Sequence, residues 1–272
     1  MQISKTRLRP LAIALLTFLC SMANTLAQEP KQEFPIMPGE KEPPRLAAPK
    51  NAKAMPAPHR VWIDAVQKLV YVDGYVSLDE GLLEMFACTI GTKEHESVIA
   101  AYSSAQVVHA ALLAVGAIPG HPVRWDPEFA PATGMEISIE IRWQDEKGKW
   151  KSMPAQHWMK DAETNKVSTH TWVFAGSRFI KDEPGGKEYY LAEEGSMICV
   201  SNFSTAMLDI PIESSQDNSG LLFEANKDNV PAIGTPVRMV LKPKLKSYQP
   251  KTKKDGSQKK DVHQKKNNSQ TR

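Results

Sequence analysis

A thiol, an imidazole and two carboxylates crowd into residues 88–96, where Cys88 is followed by Lys93, Glu94, His95 and Glu96. Such a set could act as a thiolate nucleophile with His95 as its base. It could also ligate a divalent metal through His95, Glu96 and the more distant His109, since imidazole, carboxylate and thiolate are the donors zinc takes. Neither reading has its full complement: no third group orients the His95 imidazole, and the H-E-x-x-H spacing of a helical zinc site is absent. Plainer readings stand beside them. His95 and Glu96 would hydrogen-bond backbone around a tight loop, and His109 would be a satisfied core histidine. On an extended segment Glu94 and Glu96 point one way and Lys93 and His95 the other.

Cys88 and Cys199 are the two cysteines left once the leading segment is set aside. In an oxidising compartment they would form a disulfide, closing a long loop and contributing about 4–5 kcal/mol in the chain-entropy view. The alternative is two separate buried thiols acting as small hydrophobes.

The address follows from the ends of the chain. Lys5, Arg7 and Arg9 precede an apolar run over 11–19 and a small-residue site at Thr25-Leu26-Ala27, the three parts of a secretory signal cleaved near Ala27. The mature protein is therefore expected to be secreted or periplasmic, without a transmembrane segment. Residues 28–58 are rich in Pro, Lys and Glu without apolar periodicity, a disordered linker. The net charge of +3 is segregated along the chain. From Lys242 onward, eleven Lys or Arg oppose Asp255 and Asp261, a tail near +9, and the leader adds +3; what remains in the body is near −9. The basic tail over 243–272 is expected to be disordered and to contact anionic surfaces. With Tyr248 as its single aromatic, base stacking and specific nucleic-acid binding are not expected.

Between linker and tail, residues 59–242 read as one globular domain. Val61-Trp62-Ile63-Asp64 and Lys68-Leu69-Val70-Tyr71-Val72 are β-rich runs, and Asp73-Gly74 then reads as a hairpin turn before Tyr75-Val76. The apolar run at 82–87 would be a strand delivering Cys88 to a loop. Ser103 or Ser104 caps an apolar-faced helix over about 104–115 that carries His109. Residues 135–143 alternate apolar and polar at period two, a half-buried strand. Trp143, Trp150, Trp158 and Trp172 could line a groove for sugars or peptides, or serve as packing. About ten short strands and one helix predict an α+β, mainly β domain of antiparallel sheets with one packed helix.

In combination, several segments resemble the YdjY-domain family of exported bacterial proteins. They are Gly81-Leu82-Leu83-Glu84-Met85-Phe86-Ala87-Cys88, Thr92-Lys93-Glu94-His95-Glu96-Ser97-Val98, His109-Ala110-Ala111-Leu112-Leu113, Trp172-Val173-Phe174-Ala175-Gly176-Ser177 and Ile198-Cys199-Val200-Ser201-Asn202-Phe203. The resemblance implies a shared fold and export, and no established reaction. Some labels in that family mention an iron–sulfur role; two mature cysteines without C-x-x-C spacing cannot supply four thiolates, so a four-cysteine cluster is rejected here.

The expectation is an exported cell-envelope protein that binds or scaffolds an envelope ligand or protein without catalysis and without a bound cofactor. Its functional surface would be the 88–97 loop and the neighbouring helix. The alternative is a metal-binding or thiol-dependent envelope enzyme using Cys88, His95 and Glu96.

Overall fold

The computed structural model describes residues 45–181, 183–214 and 220–245. The expected signal peptide, the linker up to residue 44 and the tail beyond residue 245 lie outside the described residues. In chain order the strands begin with β1 (Lys53–Ala54), β2 (Val61–Asp64), β3 (Leu69–Val76), β4 (Met85–Thr89) and β5 (Ser97–Ala101). After helix α1 (Ala105–Ala114) come β6 (Glu136–Gln144), β7 (Trp150–Pro154), β8 (Met159–Asp161), β9 (Trp172–Phe174) and β10 (Phe179–Lys181). The last are β11 (Glu188–Tyr190), β12 (Ile198–Cys199), β13 (Leu208–Asp209), β14 (Phe223–Ala225) and β15 (Pro236–Pro243).

Three long strands form the frame because their sequences alternate at period two. Val70, Val72 and Val76 of β3, Val237, Met239 and Leu241 of β15, and Ile137, Ile139 and Ile141 of β6 are buried in one cluster. Tyr71 and Asp73, Arg238, and Glu140 and Arg142 occupy the alternate, outward positions. From β6 the sheet continues through β9, β13, β12, β4 and β5, and β5 pairs back onto β3. Eight strands thus close into a barrel, which removes the open sheet edges. β2 shares one edge of β3 with β5, and β7 shares one edge of β6 with β9. β3 and β6 each host two partners in succession along that edge, whereas β15 lies between β3 and β6.

This corrects the expectation of antiparallel sheets with one packed helix. β4 runs parallel to β5, and β12 parallel to β13, so the domain is a mainly β barrel of mixed direction. Burial periodicity reports which residues face inward, but not which strand is the neighbour or which way it runs. The helix itself falls where its pattern placed it. The Ser104 side chain accepts a hydrogen bond from the Val107 N–H at 3.4 Å, and Val108, Ala111 and Leu112 are buried. α1 follows the end of β5 and packs against β2, β3 and the ring of Phe174 in β9.

The expected Asp73-Gly74 turn is also corrected, since both residues lie inside the continuous strand β3. Glycine stands there because β5 passes close: a Cβ on Gly74 would collide with the Ala100 carbonyl oxygen and sit 3.0 Å from Ile99 Cγ2. Within the stretch expected as linker, Lys53 and Ala54 form β1 and pair with Ile63 and Trp62.

Candidate functional site

Because β4 and β5 are parallel neighbours, the chain must return along the outer wall of the barrel between them. Residues 90–96 do this with fewer than the dozen or so residues such a crossover usually takes. Gly91, Thr92, Lys93, Glu94 and Glu96 hold the loop down. The Gly91 N–H donates to the Glu94 carboxylate, with Gly91 at a φ of 82°. The Thr92 hydroxyl donates to the Thr89 carbonyl at 2.5 Å. Lys93 Nζ lies 2.9 Å from Glu84 Oε2 and 2.8 Å from Glu96 Oε1, and 4.9 Å from the Phe203 ring centre. Gly195 leaves room for the lysine stem, since a Cβ there would come within 2.8 Å of Lys93 Cγ.

Electrostatics agree with that role. Burial raises the Glu84 carboxyl, against the hydrogen bond from Lys93. Burial alone would lower Lys93, but its hydrogen bonds to Glu96 and Glu84 outweigh it and raise the pKa. Both effects mark a shielded ion triad rather than a solvated surface patch. His95 stands outside this arrangement. Its side chain is 77 % exposed, and Nε2 is 3.8 Å from Glu96 Oε2.

Cys88 lies within β4 rather than in the loop, fully buried among Ile90, Ala100 and Tyr102. Burial pushes its thiol up to about 11, so at neutral pH the nucleophilic thiolate is scarce. Cys199 is equally buried, in a different cluster with Met85 and Ala206, its Sγ 3.4 Å from Met85 Sδ. Burial raises its pKa as well. Both cysteines are free thiols, which corrects the expected disulfide. Strand register separates them: Cys199 pairs with Met85 and Cys88 with Ala100.

A family profile for the YdjY domain matches residues 61–242, taking in the chain from β2 almost to the end of β15. The chain belongs to the YdjY-domain family. No curated protein and no solved structure matches it.

In this YdjY domain His109 lies away from the 90–96 loop, on the helix. Its Nδ1 is 2.7 Å from Tyr190 Oη, and the Tyr190 hydroxyl donates to the Gly176 carbonyl at 3.1 Å. The imidazole also packs edge-on against Phe174, with centres 4.8 Å apart. Burial lowers its pKa. Among the described residues no three His, Cys, Asp or Glu side chains gather in a way that could hold a metal ion; Cys88, His95 and His109 are not brought together.

Two features of the YdjY barrel escaped sequence reasoning. Asp209 in β13 is buried with no cation paired to it among the described residues: its carboxyl accepts from the Ile210 N–H at 2.9 Å and, weakly, from Asn202 Nδ2 at 3.4 and 3.5 Å. Burial raises its pKa well above the usual carboxylate value, against the hydrogen bonds from Asn202 and the Ile210 N–H. The signal available was a lone acid in the apolar run Ala206-Met207-Leu208-Asp209-Ile210. The second is an open cleft on the outer wall of about 640 Å³, lined by Tyr71, Arg142, Trp150, Lys151 and Lys50 among others. Of the four tryptophans considered as a groove, Trp158 and Trp172 are fully buried and Trp143 packs on Trp158 at 5.4 Å. Trp150, 45 % exposed, alone of the four lines this cleft.

Proposed function

We propose that the chain is an exported cell-envelope protein whose barrel binds or scaffolds an envelope component without catalysing a reaction. The observation that carries this reading is the disposition of its reactive groups. The thiol of Cys88 is sealed and protonated, and Lys93, Glu94 and Glu96 are engaged in fastening the crossover loop, while the outer wall keeps an open cleft beside Trp150. A nucleophilic or general-base site needs such groups exposed and poised. Here the accessible surface is organised for contact instead. Export rests on the leader over residues 1–27 and the small-residue site at Ala27.

The test uses natively produced full-length protein recovered from the envelope fraction. A mature amino terminus near Gln28 and a rise of several degrees in melting temperature with at least one purified envelope polymer are expected, with no consumption of that polymer. Stoichiometric metal that is lost in His95→Ala, or a turnover abolished by Cys88→Ala, would overturn the non-catalytic reading in favour of a metal- or thiol-dependent enzyme.

A further inference from the structure

The cleft beside Trp150 has a floor laid out by strand register. Asp73 of β3, Arg238 of β15, Arg142 of β6 and Ser152 of β7 are consecutive partners across four neighbouring strands, all on the outward side of the sheet. Arg238 is committed, giving Nε and Nη2 to Asp73 at 2.6 and 2.8 Å. Arg142 is not: its Nε meets Glu140, and among the described residues its two Nη groups have no hydrogen-bond partner. Those Nη groups form half of the planar fork that matches a carboxylate.

Two further cations border the same space. Lys151 has only a loose contact, 3.6 Å to Asp145, and Lys50, on the wall formed by the chain before β1, is exposed. The cleft is thus cationic on a body whose net charge is strongly negative, so its field is local and directed rather than a consequence of overall charge. Trp150 adds an exposed indole on one wall, and Ser152 and Glu140 add a hydroxyl and a carboxylate at its edge.

We infer, resting on the binding reading above, that this cleft is a binding site for an acidic oligosaccharide, a chain of sugars carrying carboxylates. The apolar C–H face of a pyranose ring lies on the Trp150 indole, its carboxylate takes the Nη edge of Arg142, and its hydroxyls donate to Glu140 and accept from Ser152. Glu140 decides between sugar acids and phosphates. A carboxylate within the lining can only accept, so it suits a ligand that brings many hydroxyl donors, as a sugar acid does and an inorganic phosphate does not. The lining residues also include no glycine and no helix amino terminus, the elements that cradle phosphate with backbone N–H groups. The volume lies within the range of small-ligand sites.

Calorimetric titration of the full chain with a tetrasaccharide of galacturonic acid tests this, against the same tetrasaccharide as its neutral methyl ester. The acid is expected to bind with an affinity that weakens as salt rises, and the ester at least tenfold more weakly. Trp150→Ala and Arg142→Gln should each cost the acid about tenfold while leaving the melting temperature within a degree or two of wild type, because both side chains are part-exposed. No binding of the acid, equal binding of the ester, or full binding by both variants would overturn the proposal. In those cases a melting shift with another envelope polymer leaves the broader binding function standing, whereas silence across the whole polymer panel removes both.

Discussion

Arg238 and Asp73 meet through two hydrogen bonds of 2.6 and 2.8 Å across the β3–β15 pair, both nearly inaccessible to solvent. Arg238 also lies 5.1 Å from the Trp62 ring centre, and the charge of Arg60 acts on Asp73 as well. A pair so placed is costly to break from one side, because the surviving charge stays buried. Asp73→Asn should lower the unfolding free energy by about 3–5 kcal/mol, read from urea denaturation. Asp73→Leu combined with Arg238→Met should recover most of that loss. A single variant within 1 kcal/mol of wild type would show that the pair is solvated rather than shielded.

Gly74→Ala distinguishes a glycine needed for close packing from one needed for a turn. Since the new methyl would press into the Ala100 carbonyl, a loss of about 1–3 kcal/mol is expected on overpacking grounds. Chemical denaturation of the variant measures it, and a neutral substitution would contradict the β3–β5 closure of the barrel.

The two thiols should be silent in the native protein. Titration with a thiol-specific chromogen at pH 8 should find neither cysteine reactive within minutes, and both reactive in denaturant, because each is fully buried and burial raises the Cys88 thiol to about 11. Denatured protein without free thiols would instead establish the disulfide.

Asp209 makes stability depend on pH with a definite sign. In the unfolded chain it titrates near 3.8 and in the native barrel far above. Between the two values the native state holds the extra proton, so stability falls as pH rises through that window. Asp209→Asn removes this group alone. The variant's urea midpoint should gain on wild type as pH rises above about 4, and parallel curves would mean that burial does not raise the Asp209 pKa.

Lys93→Met tests whether the 90–96 loop is held as a structural crossover. Without the ammonium, Glu84 and Glu96 face one another half-buried, and a loss of about 1–3 kcal/mol is expected. It should be smaller at pH 4 than at pH 7, because burial raises the Glu84 carboxyl and favours its protonated form as pH falls. A variant of wild-type stability at both pH values would free these residues for a role beyond fastening.

Local signals in the sequence were legible wherever a residue's immediate neighbours decide its conformation. The Ser104 cap and the apolar face of Val108, Ala111 and Leu112 specify α1, and period two over Ile137, Ile139 and Ile141 specifies β6, because burial of one face is written in spacing. The segments lying between Gly81 and Phe203 likewise carry the resemblance to the YdjY-domain family. What tertiary structure alone decided is everything that depends on which distant strand lies alongside. Gly74 looks the same in a string whether it eases a turn or admits a neighbouring carbonyl, and Lys93, Glu94 and Glu96 look like chemistry until the parallel course of β4 and β5 shows them pinning a short return. Pairing direction, barrel closure and the burial of Cys88, Cys199 and Asp209 arise from contacts between residues far apart in sequence, and such contacts leave no periodic trace along the chain.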